Sequence, residues 1–272
     1  FGYVPTMKEI RLESRHLGLV TADEIMGIQE KIKLLAEKLE ETIDIDGILA
    51  LAQSAEPLSM EEDMAFEVLG EVKKQETKQK VRIAVAKDEA FCFIYQDNME
   101  LLQELGCDIV YFSPIHDEKL PEGVDGLLLY GGYPELYAKQ LSENTSMRTS
   151  IKEAIQKKLP TIAECGGFMY LHETLTDKDG KNFPMVGVIP AECQYTGKLV
   201  RFGYVEVQLP QGLTEKGTAE RPEPEKIKAH EFHYFDSTAN GEDCIATKPV
   251  TGRSWKCIHA SDDHFWGFPH LY

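Results

Sequence analysis

The six cysteines of this 272-residue chain form no CxxC motif and no closely spaced pair. A disulfide framework or a zinc site is therefore not predicted, and this cysteine usage favours a reducing, cytoplasmic environment. No basic stretch stands out in a chain of net charge −17, which argues against a nucleic-acid or anionic-membrane surface. No apolar run is long enough for a membrane span, and no signal-peptide pattern is present.

The composition changes along the chain and suggests two parts. Residues 56–79 are rich in Glu, Lys and Gln, and the latter half of this stretch has the composition of a linker. We predict a first domain over residues 1–79 and a second over residues 80–272. The chain starts in the strand-like Phe1–Pro5 rather than at Met, and it contains no phosphate-binding Gly-x-x-x-x-Gly-Lys-Ser/Thr loop. We therefore expect the first part to be the end of a longer protein.

The first part reads as largely helical. Thr21 and Glu24 have the spacing of a capping box, and apolar residues then recur at helical spacing to about Glu41. This pattern predicts a long amphipathic helix. Asp44–Leu49 predicts a second, short helix.

From Val81 onward, strand and helix patterns alternate. Alternation of this kind predicts a mostly parallel sheet with helices on both faces. The predicted strands are Arg82–Ala86, Asp108–Phe112, Gly126–Tyr130 and Thr161–Ala163. The predicted helices are Tyr95–Leu105 and Ser146–Lys158, and beyond Phe183 the pattern turns β-like at Val186–Ile189, Phe202–Leu209 and Ile227–Phe235.

The stretch Glu164–Gly167 joins a predicted strand to a segment that reads as helix. The backbone must turn within about two residues there, and glycine permits the dihedral angles that such a corner needs. A cysteine at this corner faces the N-terminal amides of the next helix, which lower a thiol pKa and can hold an oxyanion. The alternative for Cys165 is a small buried residue beside a tight turn.

A cysteine that attacks an amide carbonyl also needs a nearby imidazole and backbone donors for the oxyanion. The amide of Gly166 is one predicted donor. The Gly131–Gly132 turn supplies the other, because it also follows a strand and ligands bind at the carboxyl ends of parallel strands. Eight histidines compete for the imidazole role, and spacing alone does not select among them.

Four motifs follow one another along the second part: Asp88–Asn98, Gly131–Glu135, Ala163–Gly167 and His230–Tyr234. Together they resemble the amidotransferase half of the cobyrinate a,c-diamide synthase family, over residues 81–272. Arg15–Val20 resembles the end of the ATP-binding domain that precedes it in that family. The resemblance implies an α/β fold: a flavodoxin-like class I glutamine amidotransferase domain with a mostly parallel sheet, preceded by a fragment of a P-loop α/β domain.

The resemblance also implies an activity. It is the glutamine-hydrolysing, ATP- and Mg²⁺-dependent amidation of the a and c acetate carboxylates of cobyrinate in cobalamin biosynthesis. Cys165 would release ammonia from glutamine, and ammonia would attack the activated carboxylate. Glutamine and cobyrinate or a related tetrapyrrole are the implied substrates, and a homodimer is one candidate assembly. No ATP or Mg²⁺ ligand is assigned in this chain, which lacks the phosphate-binding loop, and no resident metal site is predicted.

By its place near the C-terminus, His270 matches the catalytic histidine of the family. Many class I relatives carry an acidic residue two positions after that histidine, but Tyr272 stands there and cannot orient the ring as a carboxylate would. Glu231 is the candidate for this third role. The further pocket candidates, each with packing as its alternative, are Tyr95, Asn98, Tyr133, Glu135, His230 and His233.

Three alternatives remain open at this point. One is amidation of another tetrapyrrole, such as hydrogenobyrinate or nickel-sirohydrochlorin, or a cobyric acid synthase-type reaction. Another is a cysteine hydrolase of the same general fold that works without ATP. The last is an inactive amidotransferase-like binding module, which would not react with a glutamine-mimicking electrophile.

Overall fold

The computed structural model describes residues 1–12, 20, 22–56, 80–210 and 226–271. The chain divides into two compact units, residues 1–70 and 71–272. The Arg15–Val20 motif, the Thr21 capping box, the linker and Tyr272 lie outside the described residues. The boundary near residue 80 therefore stays a prediction.

The described part of the first unit is helical, as expected. A short 3₁₀ turn at Ala22–Glu24 precedes helix α1, Ile28–Thr42, and helix α2, Ile45–Gln53. Asp44 caps α2, because its Oδ1 accepts a hydrogen bond of 2.9 Å from Gly47 N–H. Phe1–Pro5 is not a strand end: only Gly2 forms a single bridge, to Ile43. Neither helix contributes a buried residue.

The described residues of the second unit form four helices and fifteen strands. The helices are α3 Gln96–Glu104, α4 Ala138–Glu143, α5 Thr145–Gln156 and α6 Gly166–Tyr170. The first eight strands are β1 Arg82–Ala86, β2 Asp108–Phe112, β3 Gly126–Leu129, β4 Thr161–Glu164, β5 His172–Thr176, β6 Asn182–Pro184, β7 Ile189–Tyr195 and β8 Arg201–Gln208. The others are β9 Lys226–His233, β10 Phe235–Ser237, β11 Cys244–Thr247, β12 Ser254–Cys257, β13 His259–Ser261, β14 His264–Gly267 and β15 His270–Leu271. No helix among the described residues has the length and apolarity to cross a bilayer.

The central sheet has the strand order β13-β14-β4-β3-β1-β2. All neighbours in it are parallel except β13, which runs antiparallel to β14. Strands β1 to β4 are the four short apolar runs that the sequence predicted. Side chains from these strands and from the elements around them form the main core, whose larger members include Phe91, Leu127, Leu129, Ile151, Phe168 and Tyr170. The expected mostly parallel α/β sheet is confirmed.

Two smaller sheets follow, with the orders β10-β7-β5-β6 and β12-β11-β8-β9-β15. The strand predicted at Val186–Ile189 is wrong, because Gly187 has a left-handed φ of 73° and β7 begins only at Ile189. The strand predicted at Ile227–Phe235 is divided at Tyr234. Its two halves, β9 and β10, belong to different sheets. The five-stranded sheet carries the C-terminal β15 and thereby His270.

Gly167 marks the close approach of α6 to β3. A Cβ at this position would overlap the carbonyl oxygen of Leu129. We expect Gly167→Ala to lower the free energy of unfolding by about 2 kcal/mol, because backbone atoms must shift to admit the methyl group. Urea unfolding followed by circular dichroism measures this change. Gly126→Ala is the matched control: its Cβ would meet no atom closer than 3.8 Å. Equal losses in the two variants would contradict this packing.

Candidate active site

Cys165 lies at the corner between β4 and α6, as the sequence predicts. Its φ of 46° and ψ of −103° are unusual for a residue with a side chain. Two hydrogen bonds hold this strained corner: Cys165 N–H donates to Gly267 O at 2.9 Å, and Met169 N–H donates to Cys165 O at 2.9 Å. Helix α6 has only five residues, so the predicted helix after the cysteine is a short one.

Two glycine loops close around this corner. A Cβ on Gly166 would lie 3.0 Å from Gly132 N and 2.9 Å from Pro134 Cδ, which shows that the loops after β3 and β4 touch. A Cβ on Gly131 would overlap the His270 ring. Absence of these side chains lets two backbone segments and one imidazole meet at the carboxyl edge of the central sheet.

His270 reaches this edge from the neighbouring sheet. It lies on β15, which pairs with β9 so that His270 stands opposite His230. The two rings stack, with centroids 4.9 Å apart and planes inclined by 15°. The His270 side chain is buried, is close enough to Cys165 for that residue to raise its pKa, and has Nδ1 3.6 Å from Glu164 Oε2. A thiol, an imidazole and a carboxylate therefore meet in one place.

The charges in this cluster favour an imidazolium. Burial alone would lower the pKa of His270, but the neighbouring Cys165 and the charge of Glu164 raise it well above its usual range. The His270 ring is then a cation at neutral pH. Burial and the charge of His270 lower the pKa of the stacked His230, which favours a neutral ring there.

Glu164 is the site residue that the sequence analysis missed. It ends β4 directly before the cysteine, is only 4% exposed, and is the carboxylate beside His270 Nδ1. Its Oε2 and that Nδ1 have no hydrogen-bond partner within the described parts of the chain, so they are paired by charge across 3.6 Å. An acidic residue directly before the nucleophile was the available signal, but the family pattern points to a position after the histidine.

Glu231 does not take the third role expected of it. It is buried, accepts a hydrogen bond of 3.1 Å from Trp255 Nε1, and has Oε2 3.1 Å from His233 Nε2. The His233 ring also stacks on Phe268, with centroids 3.9 Å apart. The structure therefore places Glu231 and His233 in a buried network behind the cleft rather than against His270.

The remaining candidates lie at different depths around the cleft. Tyr133 is buried and packs edge-on against Phe93, whose ring centroid is 6.5 Å from that of His270. The charge of Glu135, like that of Cys165, raises the pKa of the buried Cys193 thiol, although burial is the larger cause.

Tyr95 and Asn98 lie at the start of α3. Tyr95 is the residue that precedes the first turn of this helix. The Asn98 side chain hydrogen-bonds Tyr130, and burial followed by the charge of Glu164 raises the pKa of Tyr130 to about 12 despite that bond. Asn98 is therefore connected to the cluster through Tyr130, whose pKa responds to the charge of Glu164.

The sheet is mostly parallel, and it carries a cysteine on a strand–helix corner beside a histidine and a carboxylate. This combination is typical of the class I glutamine amidotransferase fold. The model of the CobB/CobQ-like glutamine amidotransferase domain matches residues 82–262 of the chain. The chain belongs to this family. The matched residues include Cys165 and end before His270.

Curated relatives extend the comparison. Cobyrinate a,c-diamide synthase of Caldanaerobacter subterraneus subsp. tengcongensis is 38% identical over 275 residues, which cover 100% of this chain and 57% of the relative. The protein of the same name from Salmonella typhimurium is 40% identical over 238 residues, covering 86% of this chain and 48% of the relative. The chain thus spans about half the length of these relatives. Among solved structures, PurLQS from Thermotoga maritima matches with a TM-score of 0.48 and 18% identity, covering 71% of this chain and 88% of that one.

The His270 ring beside Cys165 should make the reactivity of that cysteine depend on the histidine. We expect His270→Ala to slow alkylation of Cys165 by iodoacetamide at pH 7 by about tenfold or more, because the thiolate loses its cationic partner. Peptide mass spectrometry separates Cys165 from the other cysteines. His116→Ala is the control, since His116 is exposed and pairs with Glu89 instead. Unchanged alkylation in His270→Ala would contradict the pairing.

Proposed function

We propose that this chain is the glutamine-hydrolysing part of an enzyme that amidates the a and c acetate carboxylates of cobyrinate with ATP. The observation that carries the proposal is the meeting of Cys165, His270 and Glu164 beside two glycine loops. Membership of the glutamine amidotransferase family and the printed names of the curated relatives support it.

The geometry suggests how glutamine would be split. The Cys165 thiolate attacks the side-chain amide carbon of glutamine, and the carbonyl oxygen becomes an oxyanion. The amides of Gly166 and of the Gly131–Gly132 turn would donate to it, a role supported by the contact between these two loops beside Cys165. His270 gives its proton to the departing amide nitrogen, which leaves as ammonia. Water then hydrolyses the thioester to glutamate, with His270 accepting a proton from that water.

Glu164 would hold the His270 ring for these proton transfers. Its carboxylate faces Nδ1, which leaves the other ring nitrogen for the thiol and the leaving group. His230 stacks against one face of the His270 ring and so restricts the movement of that ring. His270 is therefore oriented by neighbours on two different sheets.

The ATP step does not fit the residues of this chain. The chain has no phosphate-binding loop of the Walker type, and its described residues offer no group of three or more side chains that could hold a metal ion. No residue here is assigned to ATP or Mg²⁺. In the proposed enzyme, both would bind to a part of the protein other than the residues of this chain.

The direct test uses the full-length protein. Given cobyrinate, ATP, Mg²⁺ and glutamine labelled at its amide nitrogen, it should transfer the label to the a and c positions, as seen by mass spectrometry. Cys165→Ser should reduce glutamine-dependent transfer by about 10³-fold or more, while free ammonia still supports amidation. If the label is transferred only to hydrogenobyrinate or nickel-sirohydrochlorin, that tetrapyrrole is the acceptor instead of cobyrinate. Failure of Cys165 to react with diazo-oxo-norleucine would favour an inactive binding module instead.

Glu164→Gln tests the orienting role. The amide keeps the size of the side chain but removes the charge that faces His270 Nδ1, so we expect kcat for glutamine hydrolysis to fall about 10²-fold with little change in KM. Steady-state glutaminase kinetics measure both constants. Glu231→Gln serves as the comparison. It should lower the thermal unfolding midpoint and have a smaller effect on kcat than Glu164→Gln has. Equal kcat in Glu164→Gln and the parent would exclude the role.

A further inference from the structure

The motif Asp88–Asn98 begins with a loop that lies shortly after β1. This β1 loop comprises residues 88–93, and its Ala90 and Phe91 are fully buried. Strands β1 and β3 are parallel neighbours in the central sheet, so their carboxyl ends lie at the same edge. The β1 loop therefore lies at the edge of the sheet that also carries the glycine turn after β3.

Two backbone hydrogen bonds join the β1 loop to this glycine turn. Phe93 N–H donates to Gly131 O at 3.1 Å, and the two residues form a single antiparallel bridge. Tyr133 N–H donates to Ala90 O at 2.9 Å. Between these bonds there is no room for a side chain, since a Cβ on Gly132 would overlap Ala90 O. The turn is therefore held against the β1 loop on both sides of Gly132.

The first of these bonds fixes the plane of the Gly131–Gly132 peptide. That peptide is trans, so its C=O and its N–H point in opposite directions. Because Phe93 N–H holds the carbonyl oxygen, the N–H of Gly132 points away from Phe93. No backbone carbonyl among the described residues accepts from this N–H, and its nitrogen lies 3.0 Å from the place that a Cβ on Gly166 would occupy. A donor without a backbone partner therefore lies beside the residue that follows the nucleophile.

The Asp88 side chain in turn holds the β1 loop. Its Oδ1 accepts hydrogen bonds from Ala90 N–H at 2.9 Å and from Phe91 N–H at 3.2 Å. Its Oδ2 accepts from the Ser113 hydroxyl at 2.8 Å and from Ile115 N–H at 2.9 Å, which ties the loop to the segment after β2. Each oxygen thus accepts two hydrogen bonds, and loss of either oxygen would leave a backbone N–H without its acceptor.

We propose that Asp88 is a positioning residue for glutamine hydrolysis: it holds the β1 loop, and that loop aims Gly132 N–H at the oxyanion. The inference rests on the proposed function. Two adjacent glycines let the turn approach its neighbours closely, but they impose little conformational preference of their own. The orientation of the donor must then come from outside the turn. A donor that is oriented before the reaction needs no reorganisation when charge develops on the carbonyl oxygen.

Two reactions of Cys165 in the full-length protein separate the orientation of this donor from general damage to the site. With glutamate γ-semialdehyde, the sulfur bonds to the carbonyl carbon and the π electrons move to the oxygen, which takes the place of the oxyanion. With iodoacetamide, the sulfur attacks a saturated carbon, iodide leaves, and no oxyanion forms. The semialdehyde therefore reports on the donor, whereas iodoacetamide reports on the thiolate alone.

Asp88→Asn keeps the size of the side chain but replaces one acceptor oxygen with an NH₂ group. We expect kcat for glutamine hydrolysis to fall, and Ki for the semialdehyde to rise, by about tenfold each, because Gly132 N–H loses its fixed orientation. The KM for glutamine and the rate of Cys165 alkylation should stay within about twofold of the parent values, since neither depends on the oxyanion.

Asp177→Asn is the matched control. Asp177 Oδ1 also accepts two backbone N–H groups, from Asp179 and Lys181 at 2.9 Å each, but it does so in the β5–β6 turn. This variant should keep the parent kcat, Ki and alkylation rate. Ser113→Ala removes only one of the hydrogen bonds to Asp88 and should give a smaller change in the same direction as Asp88→Asn. It therefore tests the proposal even if Asp88→Asn does not fold.

The outcomes separate this inference from the proposed function. Parent values of kcat and Ki in Asp88→Asn and Ser113→Ala would overturn the assignment of Asp88. An equal fall in alkylation and in hydrolysis would also overturn it, because that pattern indicates a generally disturbed site. In both cases the parent still hydrolyses glutamine, and the proposed function stands. A parent that neither hydrolyses glutamine nor binds the semialdehyde would overturn the proposed function, and this inference with it.

Discussion

The close contact between the two glycine loops and the His270 ring is the constraint on which the site depends. Gly131 has no room for a Cβ because the imidazole occupies that space, and Gly166 has none because Gly132 N and Pro134 lie against it. The corner at Cys165 can persist in a strained conformation because Gly267 and Met169 bond its backbone on both sides. Strain, close approach and the aligned thiol are therefore consequences of one packing arrangement.

Burial makes the electrostatics of this arrangement decisive. His270 and Glu164 are 5% and 4% exposed, and isolated charges at such depth are costly. Each of the two compensates the other, and Cys165 adds the second partner that keeps the imidazole protonated. The neighbouring His230 ring provides stacking without a competing positive charge, since its pKa moves in the opposite direction.

Residues of the His230–Tyr234 motif lie on both faces of β9. Side chains on β9 alternate, so Glu231 and His233 are buried while His230 and Phe232 are partly exposed on the opposite face. The inward pair fixes Trp255 and supports the five-stranded sheet, and His230 meets the active-site ring. A single short segment thus connects the thiol cluster with the buried network around Glu231.

The sequence by itself determined the elements with strong local patterns. The four apolar runs became β1 to β4, the periodic stretch after Ile28 became α1, and the corner at Cys165 followed from its strand and paired glycines. Local patterns were insufficient at Val186–Ile189, where a left-handed glycine delays the strand, and at Tyr234, where the chain changes sheets.

Only the tertiary structure selected Glu164 over Glu231 as the partner of His270. That choice depends on β14 pairing with β4 and β15 pairing with β9, contacts between positions that are about a hundred or about forty residues apart. Periodicity and capping act over a few residues and fix what each segment becomes. Which side chains meet is decided by the order of the strands, since sheet pairing brings together residues that have no local relation in the sequence.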